Sequence, residues 1–465
     1  MKNLSKKFNV FMILLMSVVM LSCSNDDDGT VPSNTITDFV SNAGADYTSL
    51  LAAVEKADLV TTLSGPGPYT VFAPNNAAFD AFLTANGFAN LDAVPTAVLT
   101  EILLNHVVSG AVQSSALSTG YINSLATSTA ANLPMSLYVD ITSGVKLNGV
   151  STVTGADNLV DNGVIHLVNG VIGLPSIATH AVANTSFSSL VAALTAADLV
   201  ATVDTGGPFT VLAPVDAAFT TFLDGGALGD IPVPTLTQVL LNHVLDGVTL
   251  STDLTTAGAG YANTKATGAG DNAMSLYFDT SSGVQFNGVS SVAVADVIAE
   301  NGVIHAVDAV IGLPTVVDFA LADPTFSTLV AALTDSRLTT QFVDILSTAD
   351  GTDPAPFTVF APTNDAFAAL LTELSASGLG DIDVATLDAT LKYHVVGGAN
   401  VIDSQLMDNM TVGTLGGDIT ANITGGATLT DANGRISNIV ATNVQAVNGV
   451  IHAIDKVILP LLPTN

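Results

Sequence analysis

Apolar residues recur at helical spacing in three stretches of the chain, which are 47–54, 187–194 and 326–333. Within each stretch they occupy positions one, four, five and eight, so they line one face of a helix. Each stretch is followed by a β-branched and aromatic run that ends at a proline, at Pro74, Pro214 and Pro362. Such a run predicts a strand, because these side chains pack well on a pleated sheet and proline stops the pairing. The pattern therefore predicts helix and strand alternating in three segments.

A second helix is expected directly after each proline. The side chains of Asn75, Asp216 and Thr363 are candidates to cap it, because short polar side chains accept hydrogen bonds from free N–H groups at a helix start. Val215 stands at the cap position of the second segment, so we expect a weaker cap there.

The three segments are copies of one another. Each contains, in the same order, the Thr-Val-Phe/Leu-Ala-Pro run, a His-Val pair, and Asn-Gly-Val-Ile-His beginning at Asn162, Asn301 and Asn448. The copies are offset by 137–151 residues, which indicates whole domains and not short solenoid repeats. We place the domains at 34–175, 176–314 and 315–462, with linkers of a few residues and a semi-rigid array.

The second half of each copy is typical of short antiparallel strands, with Asn-Gly as a hairpin-turn signal. Together with the helices, this predicts an α+β class. Each domain is expected to be a β-sheet wedge or sandwich with several helices packed at one side.

These motifs closely resemble those of the fasciclin (FAS1) domain family, over about residues 34–460. The strand-Ala-Pro-helix segment resembles the family's first motif, the helix-terminal Tyr393-His394 its middle motif, and Asn-Gly-Val-Ile-His its last. The resemblance implies an extracellular or cell-envelope module that serves adhesion and has no established catalytic chemistry.

The N-terminus is typical of a lipoprotein signal peptide at 1–22. Three lysines precede a mostly apolar run at 10–21, which is too short for a membrane-spanning helix, and Ser22 stands before Cys23. We expect Cys23, the single cysteine of the chain, to be lipidated. The alternative is an ordinary signal peptide with an incidental cysteine.

An acidic tether is predicted at 23–33, with three aspartates at 26–28. An acidic tract beside the lipidated cysteine resembles the surface-export signal of some Gram-negative lipoproteins, which predicts a surface-exposed outer-membrane lipoprotein. The alternative is a solvated spacer that self-repulsion extends.

Charge and composition narrow the possible partners of the chain. It has 465 residues, with 10 basic against 41 acidic side chains and a formal charge of −31. Nucleic acid is excluded as a partner because phosphate binding needs clustered lysine and arginine. We expect membrane contact through the lipid anchor alone, since anionic lipid repels an acidic chain. One cysteine rules out an internal disulfide and a cysteine-rich zinc site.

Six of the seven histidines recur at equivalent positions: His106, His243 and His394, then His166, His305 and His452. Two per domain raise the possibilities of metal binding and of acid–base catalysis. However, His106 shares a helical face with Leu99 and Leu103, and His166 alternates with valines along a strand. We therefore predict buried structural histidines, with no metal and no cofactor. The seventh, His180, lies between the first two copies and has no assigned role.

Catalytic motifs are missing from the sequence. It contains no Gly-x-Ser-x-Gly elbow, phosphate loop, His-Glu-x-x-His helix or dinucleotide fingerprint. We predict that the protein is not an enzyme.

Candidate adhesion residues follow from the resemblance. In animal relatives an Asp-Ile-type motif upstream of the last strand is implicated in integrin binding, and Asp157 and Asp296 match that place. The third copy has Asn443 there, and the middle motif adds Tyr393 and His394 as candidates. An exposed carboxylate suits a receptor-held divalent cation. The alternative is a turn aspartate that hydrogen bonds to its own backbone.

The sequence thus predicts a lipid-anchored surface adhesion protein that binds extracellular proteins or polysaccharides through tandem domains. Two alternatives stay open: a small-ligand-binding or enzymatic envelope protein with a pocket in one domain, and a structural spacer.

Overall fold

The structure is a computed structural model, and it describes residues 34–461. The predicted signal peptide, Cys23 and the acidic tether lie outside the described residues. Within 34–461, no single helix is long and apolar enough to cross a membrane. Two pairs of neighbouring helical segments reach that length and hydrophobicity only when the two members are joined, and they are bent by 103° and 98° where they meet.

The first domain runs from α1 to β7. Its helices α1 to α5 are Ile36–Asn42, Thr48–Lys56, Val60–Leu63, Asn76–Ala85 and Thr96–Leu104. Its strands β1 to β7 are Tyr69–Pro74, Val107–Ser109, Gly120–Thr127, Pro134–Asp140, Lys146–Leu147, Ser151–Val160 and Gly163–Val168.

The second domain runs from α6 to β14. Its helices α6 to α11 are Ile177–Ala183, Ser188–Ala196, Val200–Thr205, Asp216–Leu223, Val233–Leu241 and Ser251–Ala257. Its strands β8 to β14 are Phe209–Pro214, Val244–Asp246, Ala259–Thr267, Ala273–Asp279, Gln285–Phe286, Ser290–Ala299 and Gly302–Val307.

The third domain runs from α12 to β21. Its helices α12 to α16 are Val316–Ala322, Ser327–Leu333, Phe342–Leu346, Asn364–Glu373 and Val384–Lys392. Its strands β15 to β21 are Phe357–Pro362, Val395–Gly397, Met410–Thr414, Gly417–Asn422, Thr428–Thr430, Ile436–Ala446 and Gly449–Ile454. Helices and sheets in all three domains confirm the α+β class.

The first and last motifs of each copy lie side by side. Strand β1 pairs in parallel with β7, with Thr70 opposite Val164, and the same parallel pairing joins β8 to β14 and β15 to β21. The other neighbouring strands are antiparallel, as predicted for the second half of each copy. In domains 1 and 2 the seven strands close into a barrel, while domain 3 has a seven-stranded sheet.

Each domain has two apolar cores. In domain 1, one core lies between the helices and the sheet and includes Phe79 and Leu99. The other lies inside the barrel and includes Phe72 and Leu137. Because β1 contributes alternate side chains to both cores, it is buried on both faces, which explains its unbroken run of apolar and β-branched residues.

The predicted helix caps at Asn75 and Thr363 are confirmed, and so is the weaker cap expected at Val215. The prediction that Asp216 caps α9 is wrong. Asn75 accepts a hydrogen bond from Ala78 N at 2.9 Å, and Thr363 caps α15 in the same way. Val215 provides no side-chain cap. The carboxylate of Asp216 does not replace it, because it accepts from the backbone N–H of Ser189 and so ties α9 to α7.

The Asn-Gly pair of the last motif fixes the junction between sheet and helices. The side chain of Asn162 accepts from Ile36 N and donates to the carbonyls of Leu63 and Gly65. A Cβ at Gly163 would lie 2.0 Å from the carbonyl oxygen of Tyr69. Glycine is therefore required here, because β1 passes directly against the strand backbone.

The domains contact each other through a repeated junction. At the first junction Ile298 N donates to Ser136 Oγ at 2.9 Å, and at the second Gln445 N donates to Ser275 Oγ at 2.9 Å. At the first junction β4 of domain 1 meets β13 of domain 2, and at the second β11 of domain 2 meets β20 of domain 3.

Candidate functional site

The first histidine of each domain is buried and uses both ring nitrogens. His106 Nδ1 lies 2.7 Å from the carbonyl oxygen of Ile102, and Nε2 accepts from Ile172 N at 2.9 Å. These partners assign a neutral ring that donates through Nδ1. Burial lowers the pKa of His106 to about 4, although the hydrogen bond to Ile102 opposes that shift. His243 and His394 make the equivalent contacts.

The second histidine lies on the last strand and is also buried. His166 Nε2 donates to the carbonyl of Val112 at 2.9 Å, while Nδ1 accepts from Asp157 N at 3.2 Å. The ring stacks on Phe72 with centroids 5.5 Å apart. His305 and His452 have the same arrangement of carbonyl and N–H partners.

These contacts leave the six rings little capacity for chemistry. Each ring nitrogen already has a backbone partner, so neither a free lone pair nor an exposed proton faces solvent. Within residues 34–461, no group of three or more His, Cys, Asp or Glu side chains could hold a metal ion.

Asp157 holds a bulge in β6 against the segment that follows β2. It has a left-handed backbone, with φ of 60°, and its carboxylate accepts from both N and Oγ of Ser114. These hydrogen bonds lower the pKa of the Asp157 carboxyl. Asp296 binds Ser251 in the same way. Both aspartates keep a partly exposed side chain, so they remain predicted adhesion residues.

In domain 3 the carboxylate lies on the facing segment and not on the bulged strand. Asn443 occupies the left-handed position, and its Nδ2 donates to Asp403 Oδ1 at 2.7 Å, while its Oδ1 accepts from Asp403 N. The carboxylate that the third copy lacks at position 443 is thus supplied from the opposite segment.

Tyr393 and His394 are not placed where a partner could reach them, which corrects the prediction that they are adhesion contacts. Tyr393 is 1% exposed, and its hydroxyl donates to the carbonyl of Asp418 and accepts from Ala432 N. His394 lies equally deep, at 3% exposed. The tyrosine packs in the core because the turn before β20 folds over it.

His180, which had no assigned role, lies at the junction between domains 1 and 2. It is the fourth residue of α6, it is fully buried, and its ring meets Tyr121 of domain 1 edge-on with centroids 5.5 Å apart. The fourth residue of α1 is Phe39 and that of α12 is Phe319. Aligning the three copies would have indicated that position 180 makes an aromatic contact, because the other two copies have phenylalanine there.

Domain 1 carries an open groove of about 660 Å³ between its helices and the end of its barrel. Its apolar floor includes Phe82, Val98, Ile102, Val150, Val171 and Leu174, and no charged side chain of the described residues lines it. In a chain with a formal charge of −31, an uncharged apolar surface of this size marks a candidate interaction site.

A corresponding groove of about 420 Å³ lies at this place in domain 2, and α12 of domain 3 contributes Asp318, Leu321 and Ala322 to its lining. Phe222, Val289, Val310 and Leu313 take the places of Phe82, Val150, Val171 and Leu174. Its lining includes one charged side chain among the described residues, Asp318.

In domain 3 the chain itself crosses the equivalent place. The turn before β20, residues 431–435, is longer than the corresponding turn at 148–150. Arg435 reaches from the carbonyl of Val457 to the carboxylate of Glu373 on α15, at 3.2 and 2.8 Å. Asn433 donates to the carbonyl of Leu459. A polypeptide turn therefore covers in domain 3 what is open in domains 1 and 2.

Several known proteins are similar to this chain. Porcine (Sus scrofa) transforming growth factor-beta-induced protein ig-h3 is 28% identical over 418 residues, covering 89% of this chain and 56% of that protein. Human periostin is 25% identical over 443 residues, covering 91% of this chain and 47% of that protein. This chain thus spans about half the length of these relatives. Protein sll1483 of Synechocystis is 37% identical over 174 residues, covering 37% of this chain and 89% of that protein.

A solved structure is also similar. It is the FAS1 domain pair from the insect cell adhesion molecule Fasciclin I, at 18% identity and a TM-score of 0.37, covering 60% of this chain and 98% of that one.

The family model of the Fasciclin domain matches three segments of the chain, residues 45–175, 185–314 and 324–460. These segments contain the three sheets and most of the helices that pack on them. The chain therefore belongs to the Fasciclin domain family.

Proposed function

We propose that this protein is a lipid-anchored adhesion protein of the bacterial cell surface, which binds extracellular proteins or polysaccharides through tandem Fasciclin domains. Membership of the family over residues 45–175, 185–314 and 324–460 supports the general role. The anchor rests on the predicted signal peptide and on Cys23.

The observation that carries the proposal is the repeated groove. Domains 1 and 2 present equivalent, almost uncharged apolar grooves of about 660 and 420 Å³ on one chain. Two weak sites held at a fixed spacing bind a multivalent partner far more tightly than either alone, because the second contact is made at high effective concentration.

The occupant that fits these grooves best is a loop of a partner protein. In domain 3, the chain's own turn at 431–435 lies across the equivalent surface and bonds to Leu459 and Val457 through an amide and a guanidinium. Asn105 and Asn242 already donate to the carbonyls that correspond to Leu459 in domains 1 and 2. The contact of Arg435 with the carbonyl of Val457 therefore supports a polypeptide turn with a guanidinium donor as the ligand for these two domains. Polysaccharide binding then uses other surfaces.

The test measures binding of the full mature chain, carrying Cys23→Ser, to surfaces coated with matrix proteins and with polysaccharides, with and without calcium. Val150→Asp and Val289→Asp each place a charge in one groove, at exposed positions that the fold tolerates. We expect a loss of about tenfold or more for each variant and near-complete loss for the pair. Val440→Asp, at an exposed site on domain 3, is the control.

Unchanged protein binding by the double variant would remove the grooves as the contact surface. Binding to polysaccharide alone would point to a different face. The absence of binding to any coated surface would favour the structural spacer.

The anchor is tested separately in cells. We expect Cys23→Ala to release the protein from the membrane fraction and to abolish incorporation of labelled fatty acid. Protease treatment of intact cells should remove the wild-type protein if it is displayed at the surface, and protection from protease would contradict surface display.

A further inference from the structure

His180 is an ionisable side chain sealed between two domains. Its Nε2 lies 3.3 Å from the carbonyl oxygen of Ile298 in domain 2, and its Nδ1 is buried without a hydrogen-bond partner. The other side of the ring meets Tyr121 of domain 1, at an interplanar angle of 73°. Separation of the two domains would therefore expose this ring to water.

The second junction has the same construction without the ionisable ring. Phe319 on α12 meets Tyr261 of domain 2 edge-on, with centroids 5.8 Å apart. The residue after the helix contacts the tyrosine hydroxyl in both junctions: Asn184 donates to Tyr121 Oη, and Tyr261 Oη donates to Asp323. The second junction, with phenylalanine in place of histidine, therefore serves as an internal control for the first.

The surroundings of His180 offer no counter-charge. Within domain 2, the elements packed against α6 include α7, α8 and β14, which carry Asp204 and His305. The strands that meet at the junction, β3, β4 and β13, add Tyr121, Tyr138, Asp140 and Asp296, and Glu300 follows β13. Lys146 of β5 lines the pocket beside α6, and it carries the same charge as a protonated ring. The carboxylates among them bond elsewhere, Asp204 to Ser176 and Glu300 to Thr129. None of the described residues forms an ion pair with His180. A proton on the buried ring would be an uncompensated charge, which is strongly unfavourable.

We propose that His180 makes the junction between domains 1 and 2 an acid-sensitive hinge, which opens when the ring is protonated, while the junction between domains 2 and 3, built on Phe319, stays closed. This pH response is a property separate from adhesion. It changes the spacing between the grooves of domains 1 and 2 without unfolding either domain.

The direction of the effect follows from linkage. Burial lowers the pKa of His180 in the docked state to about 4, from 6.5 for a ring in water. Between these two values the undocked ring binds a proton and the docked ring does not, so docking weakens as pH falls through this window. Below about pH 4 both states are protonated and the effect is complete. We expect the ratio of open to closed junction to rise on the order of 100-fold across the window.

The experiment measures inter-domain distances in the full chain by pulsed electron paramagnetic resonance, from pH 7.5 to pH 4. Spin labels on Val60→Cys and Val233→Cys report on the first junction, and labels on Val233→Cys and Leu374→Cys report on the second, all at exposed positions in a Cys23→Ser background. We expect the 60–233 distance distribution to broaden on acidification and the 233–374 distribution to stay unchanged.

Two variants exchange the behaviour of the junctions. His180→Phe should remove the pH response of the 60–233 distance, and Phe319→His should transfer a response to the 233–374 distance. Circular dichroism at each pH checks that the domains remain folded, because His106, His243 and His394 also lie buried within them. A pH response that persists in His180→Phe overturns the proposal. Unfolding of the domains before any change in the 60–233 distance overturns it as well.

Discussion

Asn433 donates a hydrogen bond from Nδ2 to the carbonyl of Leu459 at 2.9 Å, and it takes over in domain 3 the role that Asn105 has in domain 1. Asn105 donates to the carbonyl of Gly173 at 2.8 Å, at the equivalent point of the chain. Tyr393 replaces Asn105 in the third copy, and the longer turn brings the amide of Asn433 to the equivalent carbonyl, that of Leu459. The exchange explains how Asn-His and Tyr-His both fit one fold.

Removing the amide in domain 1 should therefore be costly. Asn105→Ala leaves the carbonyl of Gly173 without its buried donor, so we expect the free energy of unfolding of domain 1 to fall by about 1–3 kcal/mol. Urea unfolding, monitored by the hydrogen exchange of amides in β1, measures the free energy of unfolding of domain 1. Asn86→Ala removes an exposed amide that bonds only within its own helix end, and it should change stability far less. Equal effects of the two variants would contradict this role.

The glycine of the last motif should tolerate no side chain. Gly163→Ala would push a methyl group against the carbonyl oxygen of Tyr69, so we expect a loss of about 3 kcal/mol in the free energy of unfolding, since overpacking moves backbone. Gly173→Ala is the matched control, because no atom of the described residues lies within 4 Å of the added Cβ. Thermal unfolding that is the same for both variants would show that β1 and β7 can separate without cost.

Acid should destabilise the domains through their first histidines. Burial lowers the pKa of His106, His243 and His394 to about 4, from 6.5. Between pH 6.5 and about 4 the unfolded chain therefore binds protons that the folded chain does not bind. As the pH is lowered through that window, the free energy of unfolding decreases. We expect up to about 3 kcal/mol from each ring.

Urea unfolding at pH 7.5, 5.5 and 4.5 measures that dependence. His106→Gln should flatten it for domain 1 and leave domain 3 unchanged. Identical pH profiles for the variant and the wild type would show that the ring of His106 does not titrate on unfolding.

Domain 1 pairs Asp157 with Ser114, and domain 3 pairs Asn443 with Asp403 at the equivalent positions. Replacing the first pair with the second tests both the fold and the adhesion site. Ser114→Asp alone places two carboxylates together. Asp157→Asn alone keeps one acceptor oxygen for Ser114 N and replaces the oxygen that accepts from Ser114 Oγ with an amide donor. We therefore expect each single change to lower the unfolding temperature. The double variant recreates in domain 1 the pair seen in domain 3 and should restore it.

The double variant also separates structure from adhesion. If Asp157 contacts a partner through its carboxylate, binding falls although the fold is restored. If the aspartate only holds the bulge in β6, the double variant binds like the wild type.

Local and repeated features of this protein were predictable from its sequence. The copies, the α+β class, the helices at 47–54, 187–194 and 326–333, and the caps at Asn75 and Thr363 follow from spacing within a few residues. Such features are encoded locally, because helical periodicity, capping and turn formation depend on neighbours along the chain. The shared face of Leu99, Leu103 and His106 is of the same kind.

Contacts between distant segments were decided by the tertiary structure. The parallel pairing of β1 with β7, the use of Asp216 to tie two helices together, and the burial of Tyr393 each depend on residues dozens of positions away. His180 shows the difference most clearly, since its sequence neighbours give it no role. It meets Tyr121 because two separately folded domains pack against each other, and no pattern within a single domain contains that contact.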